Sequence, residues 1–222
     1  MDTRVKLDGM QAMTDKRHYI TGCKRLPFSV DVARLQAEVA SLPPTAWGNQ
    51  RAPVHQETVS VFLRGQAPML GVAEDLDQPL LQPCTYIKEL LQEVLPGRCG
   101  KCLLASLQPG GTVYAHMDSA NEYFLESFRV HVPVFTNEQV HFFSGRRIFH
   151  MAAGEVWSVN NLAPHAVLNL HPREARVHLI FDIFPEAAAV ELLARLPEAP
   201  GIENEMLFRQ VASRRPPAAQ KR

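Results

Sequence analysis

The chain has 222 residues, enough to bury a large core in one domain, and its 46% hydrophobic and 21% charged content is ordinary for a globular protein. Lys plus Arg and Asp plus Glu number 23 each, so no net field favours nucleic acid or an anionic membrane, and both drop out as partners. No apolar run reaches the length of a membrane span, and the charged N-terminal stretch "MDTRVKLDGMQAMTDKRHY" lacks the apolar core of a signal peptide, so a cytoplasmic setting is expected.

The first third of the chain reads as irregular segments with one helix and one strand. "SVDVARLQAEVASLPP" sets Val32, Leu35, Val39 and Leu42 at helical spacing, with Ser29 or Asp31 as cap and Pro43 as stop. "ETVSVFLR" alternates and puts Val59, Val61 and Leu63 on one face of a strand. A Pro-marked loop leads to "TYIKELLQEVLPG", a helix striped by Ile87, Leu90, Leu91 and Val94 and ended by Pro96 and Gly97. "RCGKC" is a Cys-x-x-Cys pair, but no second pair follows to complete a zinc site. The helix comes before it rather than after it, so Cys99 and Cys102, like Cys23 and Cys84, read as plain thiols.

Residues 102–184 then break into short strands: "CLLASL", "TVYAH", "FRVHVPV", "QVHFF", "RIFHM", "EVWSV", "HAVLNL" and "RVHLIFDIF". Turn signals at Pro109-Gly110-Gly111, Ser144-Gly145, Gly154 and Asn160-Asn161 separate them. This spacing predicts a mainly β sandwich or jelly roll, not βαβ units. Asn160 and Asn161 suit positive φ in the turn before His165. Trp157 is expected to pack in the core against the helices. After Pro185, "EAAAVELLARL" and "ENEMLFRQVAS" read as two helices. The predicted divisions are an N-terminal part over 1–98, a β core over 99–184, C-terminal helices over 185–213 and a disordered tail over 214–222, in one domain overall.

Alternation within the strands carries functional information. In "FRVHVPV" one face is Phe128, Val130, Val132 and Val134, and the other is Arg129, His131 and Pro133. In "RVHLIFDI" Val177, Leu179, Phe181 and Ile183 oppose Arg176, His178, Ile180 and Asp182. A half-exposed sheet is one reading of such faces. Arg and His set among Val, Ile and Pro also fit a lined cavity. If there is a cavity, His116, Asp118 and His165 supply two imidazoles and a carboxylate, the donor set that leaves iron(II) with open coordination positions. Arg176 would then suit a bidentate grip on a carboxylate.

"LQPGGTVYAHMD", "FRVHVPV", "AAGEVWSVNNLAPHAVLNL" and "ARVHLIFDIF", in this order, resemble the aspartyl/asparaginyl β-hydroxylase family of iron(II)/2-oxoglutarate dioxygenases, which includes bacterial hydroxylases of free amino acids. The likeness covers residues 103–184, with a weaker echo in "TAWGNQRAPVHQETVSVFLR". It implies a double-stranded β-helix, a cupin-like jelly roll, with flanking N-terminal and C-terminal helices. It implies His116, Asp118 and His165 as iron ligands and Arg176 as the clamp on the distal carboxylate of 2-oxoglutarate. It also implies Arg129 as a second anionic contact and Ser106 as a hydroxyl toward the cosubstrate. The chain departs from the family pattern at "NLHPREAR", where the loop before Arg176 is longer. The implied activity is hydroxylation of an unactivated C–H with O2, releasing succinate and CO2. The expected substrate is a small molecule, a free or carrier-bound amino acid. Trp47 and His55 are candidates for the substrate mouth, and Asn169 for orienting the cosubstrate. His131, His141, His150 and His178 read as hydrogen-bonded strand histidines. A rival reading is a non-oxidative metal-binding cupin, an isomerase or small-molecule sensor; "HAVLN" fits the second half of that pattern, but His-x-Asp stands where it wants His-x-His.

Overall fold

The structure is a computed structural model that describes residues 15–48, 53–66 and 76–216. The extreme N-terminal stretch, most of the Pro-marked loop and the end of the expected tail lie outside the described residues. In chain order the elements are β1 (Cys23–Ser29), α1 (Val32–Ser41), β2 (Thr58–Arg64), α2 (Thr85–Glu93), β3 (Gly97–Leu107), β4 (Thr112–His116), α3 (Glu122–Glu126) and β5 (Phe128–Phe135). β6 (Val140–Ser144), β7 (Arg147–Phe149), β8 (Glu155–Val159), β9 (His165–Asn169), β10 (Arg176–Pro185), α4 (Ala187–Arg195), β11 (Ile202–Glu203) and α5 (Glu205–Ser213) follow.

The strands form two antiparallel sheets. One has six strands in the order β1-β8-β5-β10-β3-β2, and the other has five in the order β11-β7-β6-β9-β4. The chain crosses repeatedly from one sheet to the other, which makes the architecture a double-stranded β-helix. Every strand expected over residues 102–184 is present. β1 was not expected: "CKRLPFS" has no alternation of apolar residues and contains Pro27. It survives because it is an edge strand, where a missing N–H costs no ladder bond.

Helices cover the outer faces. Leu35 and Val39 of α1, Ile87, Leu90 and Leu91 of α2 and Leu193 of α4 pack on Phe128, Val130, Leu179, Phe181 and Ile183 of the six-stranded sheet. Asp31 caps α1 by accepting from Arg34 N at 3.1 Å. On the other side, Leu207 and Val211 of α5 cover Phe143, Ala166 and Leu168. Between the sheets lies a second apolar cluster that includes Leu107, Val113, Phe142, Phe149, Trp157 and Val167. Trp157 therefore packs between the sheets, edge-on to Phe149 at 6.1 Å, and not against the helices as expected; its indole N–H donates to Glu155.

Two bulges set which side chains face inward. In β4, Val113 opposes Val167 and His116 opposes His165, so two β4 residues stand against Ala166 alone. The extra residue puts Val113 and His116 on the same face, although they are three apart. In β3, Cys102 opposes Phe181 and Cys99 opposes Ile183, leaving Gly100 and Lys101 against Asp182. This bulge sends both Cys99 and Cys102 into the core and turns Lys101 inward. All four cysteines are free and buried, and burial pushes the Cys99 thiol up to about 12, far from thiolate reactivity.

Gly100 has no room for a side chain. A Cβ there would stand 2.5 Å from Tyr123 Oη, the group that accepts the Lys101 N–H at 2.8 Å. Gly100→Ala is expected to displace Tyr123 and destabilise the fold by about 1–3 kcal/mol, read as a lowered urea midpoint.

Candidate active site

The inward faces of the two sheets enclose a cavity lined by His55, Lys101, Leu103, Val113, His116, Arg129, His131, Phe142, Val159, Asn161, His165, Val167, Arg176 and Ile180. His116 at the end of β4 and His165 at the start of β9 are direct cross-strand partners, with ring centroids 4.2 Å apart. Asp118 follows two residues after His116, and its Oδ1 lies 3.7 Å from His116 Nε2. One donor atom from each of His116, Asp118 and His165 lies within 4.8 Å of the others, close enough to share a metal ion.

The surroundings aim each donor. His116 Nδ1 is 2.7 Å from the Tyr114 carbonyl and His165 Nδ1 is 3.0 Å from the Ala163 carbonyl. A carbonyl only accepts, so both Nδ1 atoms carry hydrogen and both Nε2 lone pairs face the shared point. Asp118 Oδ2 accepts from Arg129 at 2.5 Å and from Asn161 Nδ2 at 2.8 Å, which leaves Oδ1 for a metal. The Asp118 N–H is also held, by the Asn161 carbonyl at 2.9 Å. β4 itself is gripped by Glu57, whose carboxylate accepts from Thr112 N at 2.5 Å and Tyr114 Oη at 2.9 Å.

A buried charge chain runs behind the triad. Arg129 Nε and one terminal nitrogen pair with both oxygens of Asp182 at 2.9 and 3.1 Å, and its other terminal nitrogen takes Asp118. Arg129 and Asp182 are cross-strand partners on β5 and β10, so the register alone brings them together. Burial would raise the Asp118 carboxyl, but the Arg129 guanidinium beside it, with His165 and the Asn161 hydrogen bond, holds it well below the usual carboxylate range. Burial pulls His165 down to about 4, helped by His116, so its imidazole is neutral and ready to ligate at neutral pH.

Arg176 lies buried on the same inner face, 2% exposed. Its guanidinium reaches His178 Nδ1 at 2.6 Å, and His178 sits 3.4 Å from His131 Nδ1. Burial, then the Arg176 charge, keeps His178 neutral far below its ordinary pKa. A neutral acceptor there can orient the guanidinium without cancelling its charge.

Of the residues singled out from sequence, His116, His165, Arg176, Arg129, His131 and His55 line this cavity, and Asp118 lies within reach of the two ligand histidines. Arg129 stands differently from expectation, because its nitrogens are taken by two carboxylates. Ser106 is a correction. β3 runs without a break from Cys102 to Leu107, so Ser106 shares the outer face of Leu104 and points away from Leu103, which lines the cavity. The asparagines are a second correction: no non-glycine residue among those described has positive φ. Asn161 instead holds Asp118, and Asn160 donates to the Ile20 carbonyl while its Oδ1 caps Leu162 N. Asn169 is spent on the Gln108 and Glu174 carbonyls. Trp47 packs beside the outer core. Sequence reasoning passed over Asn161, His178 and Asp182 as site residues; the last two share the polar face of Arg176, which was the available signal. Lys16, fully buried with its Nζ 2.6 Å from Asn161 Oδ1, carried none.

A family model described as aspartyl/asparaginyl beta-hydroxylase matches residues 53–185. No curated protein matches the chain. Among solved structures, an oxidoreductase of the 2OG-Fe(II) oxygenase family from Burkholderia pseudomallei is 18% identical, with 84% of this chain and 95% of that chain covered and a TM-score of 0.48. A Trichoplax adhaerens prolyl hydroxylase, solved with a hypoxia inducible factor peptide fragment, is 12% identical over 82% of this chain and 90% of its own, with a TM-score of 0.48. HygX from Streptomyces hygroscopicus, solved with nickel and 2-oxoglutarate, is 12% identical over 75% and 84%, with a TM-score of 0.46.

The lowered histidines give metal-free protein a defined pH response. Between pH 6.5 and about 4 the unfolded chain binds protons that folded His165 and His178 refuse, so stability rises with pH across this window and is lost as pH falls. Each group contributes up to about 1.4 kcal/mol per pH unit. In chelator-treated protein the urea midpoint is expected to drop from pH 7 to pH 4.5, and His165→Asn is expected to flatten the fall.

Proposed function

The chain belongs to the aspartyl/asparaginyl β-hydroxylase family of iron(II)- and 2-oxoglutarate-dependent oxygenases, and we propose that it hydroxylates an unactivated C–H bond of a free or carrier-bound amino acid or an aspartyl- or asparaginyl-like substrate. The observation that carries the reading is the His116–Asp118–His165 cluster at the wall of a partly apolar cavity. Two nitrogens and one oxygen leave positions open for small ligands, whereas a structural zinc site closes with four protein donors. The imidazole tautomers and the single unengaged carboxylate oxygen suit such an ion. When bound, the metal with 2-oxoglutarate and O2 supplies the oxidising power.

The chain supplies orientation and dryness. Arg176 is proposed to take the far carboxylate of 2-oxoglutarate through its planar fork, with His178 holding the guanidinium in place. Leu103, Val113, Val159, Val167 and Ile180 line the same cavity and exclude water from it. Arg129 is assigned to Asp118 and Asp182 and not to the cosubstrate. Of the three cationic side chains of the lining, the remaining one, Lys101, suits the carboxylate of an amino acid substrate.

Succinate release from 2-oxoglutarate, with iron and ascorbate, across the twenty amino acids tests the substrate class: one or a few are expected to raise release well above the substrate-free rate. His116→Ala, Asp118→Ala and His165→Ala are each expected to abolish turnover and iron binding with the fold kept, and wild-type iron affinity in the His165 variant would break the ligand assignment. Arg176→Ala is expected to weaken 2-oxoglutarate binding by roughly thirtyfold to several thousandfold, with Arg176→Lys recovering part of it. Arg129→Ala is instead expected to destabilise the fold by about 3–5 kcal/mol, because it strands two buried carboxylates. If 2-oxoglutarate fails to bind the wild type, a non-oxidative metal-binding cupin becomes the better reading.

A further inference from the structure

We propose that Lys16 is a positioning residue for the metal-binding carboxylate, so that the N-terminal segment 15–24 closes the metal site from behind and is held more firmly when metal is bound. The inference rests on the metal site proposed above.

Lys16 opens a short 3-10 turn, Lys16–His18, and is completely buried. Its Nζ donates to Asn161 Oδ1 at 2.6 Å. An ammonium only donates, so it forces Oδ1 of that amide toward itself and Nδ2 toward the other side. There Nδ2 donates to Asp118 Oδ2 at 2.8 Å. Asn161, itself fully buried, thus transmits the position of Lys16 to the oxygen shared with Arg129, and so to the aim of Oδ1. Asp118 and Asp182 also face Lys16 alongside Arg129, and Lys101 adds to the positive charge around Asp182.

The segment is stitched to the turn after β8 that carries Asn161. Asn160 Nδ2 donates to the Ile20 carbonyl at 3.1 Å, and the Asn160 N–H donates to the Gly22 carbonyl at 2.8 Å. Cys23 then begins the ladder with β8 opposite Val159. The turn is capped by Asp15, which accepts the Arg17 N–H at 3.0 Å, and Ile20 anchors it in the outer core.

Co(II), titrated anaerobically and followed by its visible absorption, is the probe. Lys16→Met fills the same volume without the donor and is expected to lower Co(II) affinity ten- to a hundredfold, together with a lowered thermal midpoint of the metal-free protein, since the buried Asn161 Oδ1 loses its partner. Lys16→Gln, which restores a donor, is expected to recover part of the affinity. A residue with a merely structural role would lower the midpoint and leave affinity alone. In wild-type protein, Co(II) is expected to slow hydrogen exchange at residues 16–24, a readout that does not depend on any variant folding. Co(II) affinity within twofold of wild type in Lys16→Met, or exchange over residues 16–24 unchanged by metal, would overturn the proposal. If wild-type protein binds no Co(II), the metal site and this inference fall together; if it binds but the variant matches it, only this inference falls.

Discussion

Arg129 is the constraint on which the inner architecture depends. A guanidinium buried between two sheets needs anionic partners, and it has two: Asp182 across the β5–β10 ladder, and Asp118 at the exit of β4. The first bond is internal to the six-stranded sheet. The second ties that sheet to the five-stranded one, near the point where His116 and His165 converge. A loop carboxylate free to rotate would make a poor ligand; one pinned by Arg129 and Asn161 presents a single oxygen in a fixed direction. The cost of burying so many charges is offset only because each one meets an opposite charge or a hydrogen bond.

The two bulges follow the same logic. Strict alternation would place His116 on the opposite face of β4 from Val113, away from the cavity. One extra residue opposite Ala166 brings it onto the face it shares with Val113, across from His165. In β3 the extra residue turns Lys101 inward opposite Asp182, while Cys99 and Cys102 stay in the core. Register irregularities therefore sit at the positions where polar side chains must enter an otherwise apolar space.

Much of this was legible in the sequence because the signal was periodic. Phe128, Val130, Val132 and Val134 against Arg129, His131 and Pro133 is a pattern of period two, and the core and cavity faces of β5 and β10 follow it. The triad was readable from residue type once those faces implied a cavity. What failed was phase and partnership. Ser106 missed the cavity by one residue, which on a strand means the other face. Asn160 and Asn161 looked like left-handed turn residues, but their amides are engaged in buried hydrogen bonds and their φ stays negative. β1 has no apolar alternation, since only its start is buried against β8. Lys16 lies in a charged stretch far along the chain from Asn161, and no local pattern announces a buried ammonium.

The central claim is that His116, Asp118 and His165 converge on one metal ion. Anomalous diffraction from crystals soaked in Mn(II) tests it most directly. The expected result is one strong peak about 2.0–2.3 Å from the Nε2 atoms of His116 and His165 and from Asp118 Oδ1, with Oδ2 still held by Arg129 and Asn161. A peak centred instead on His131 and His178, or none within reach of the three residues, would contradict it.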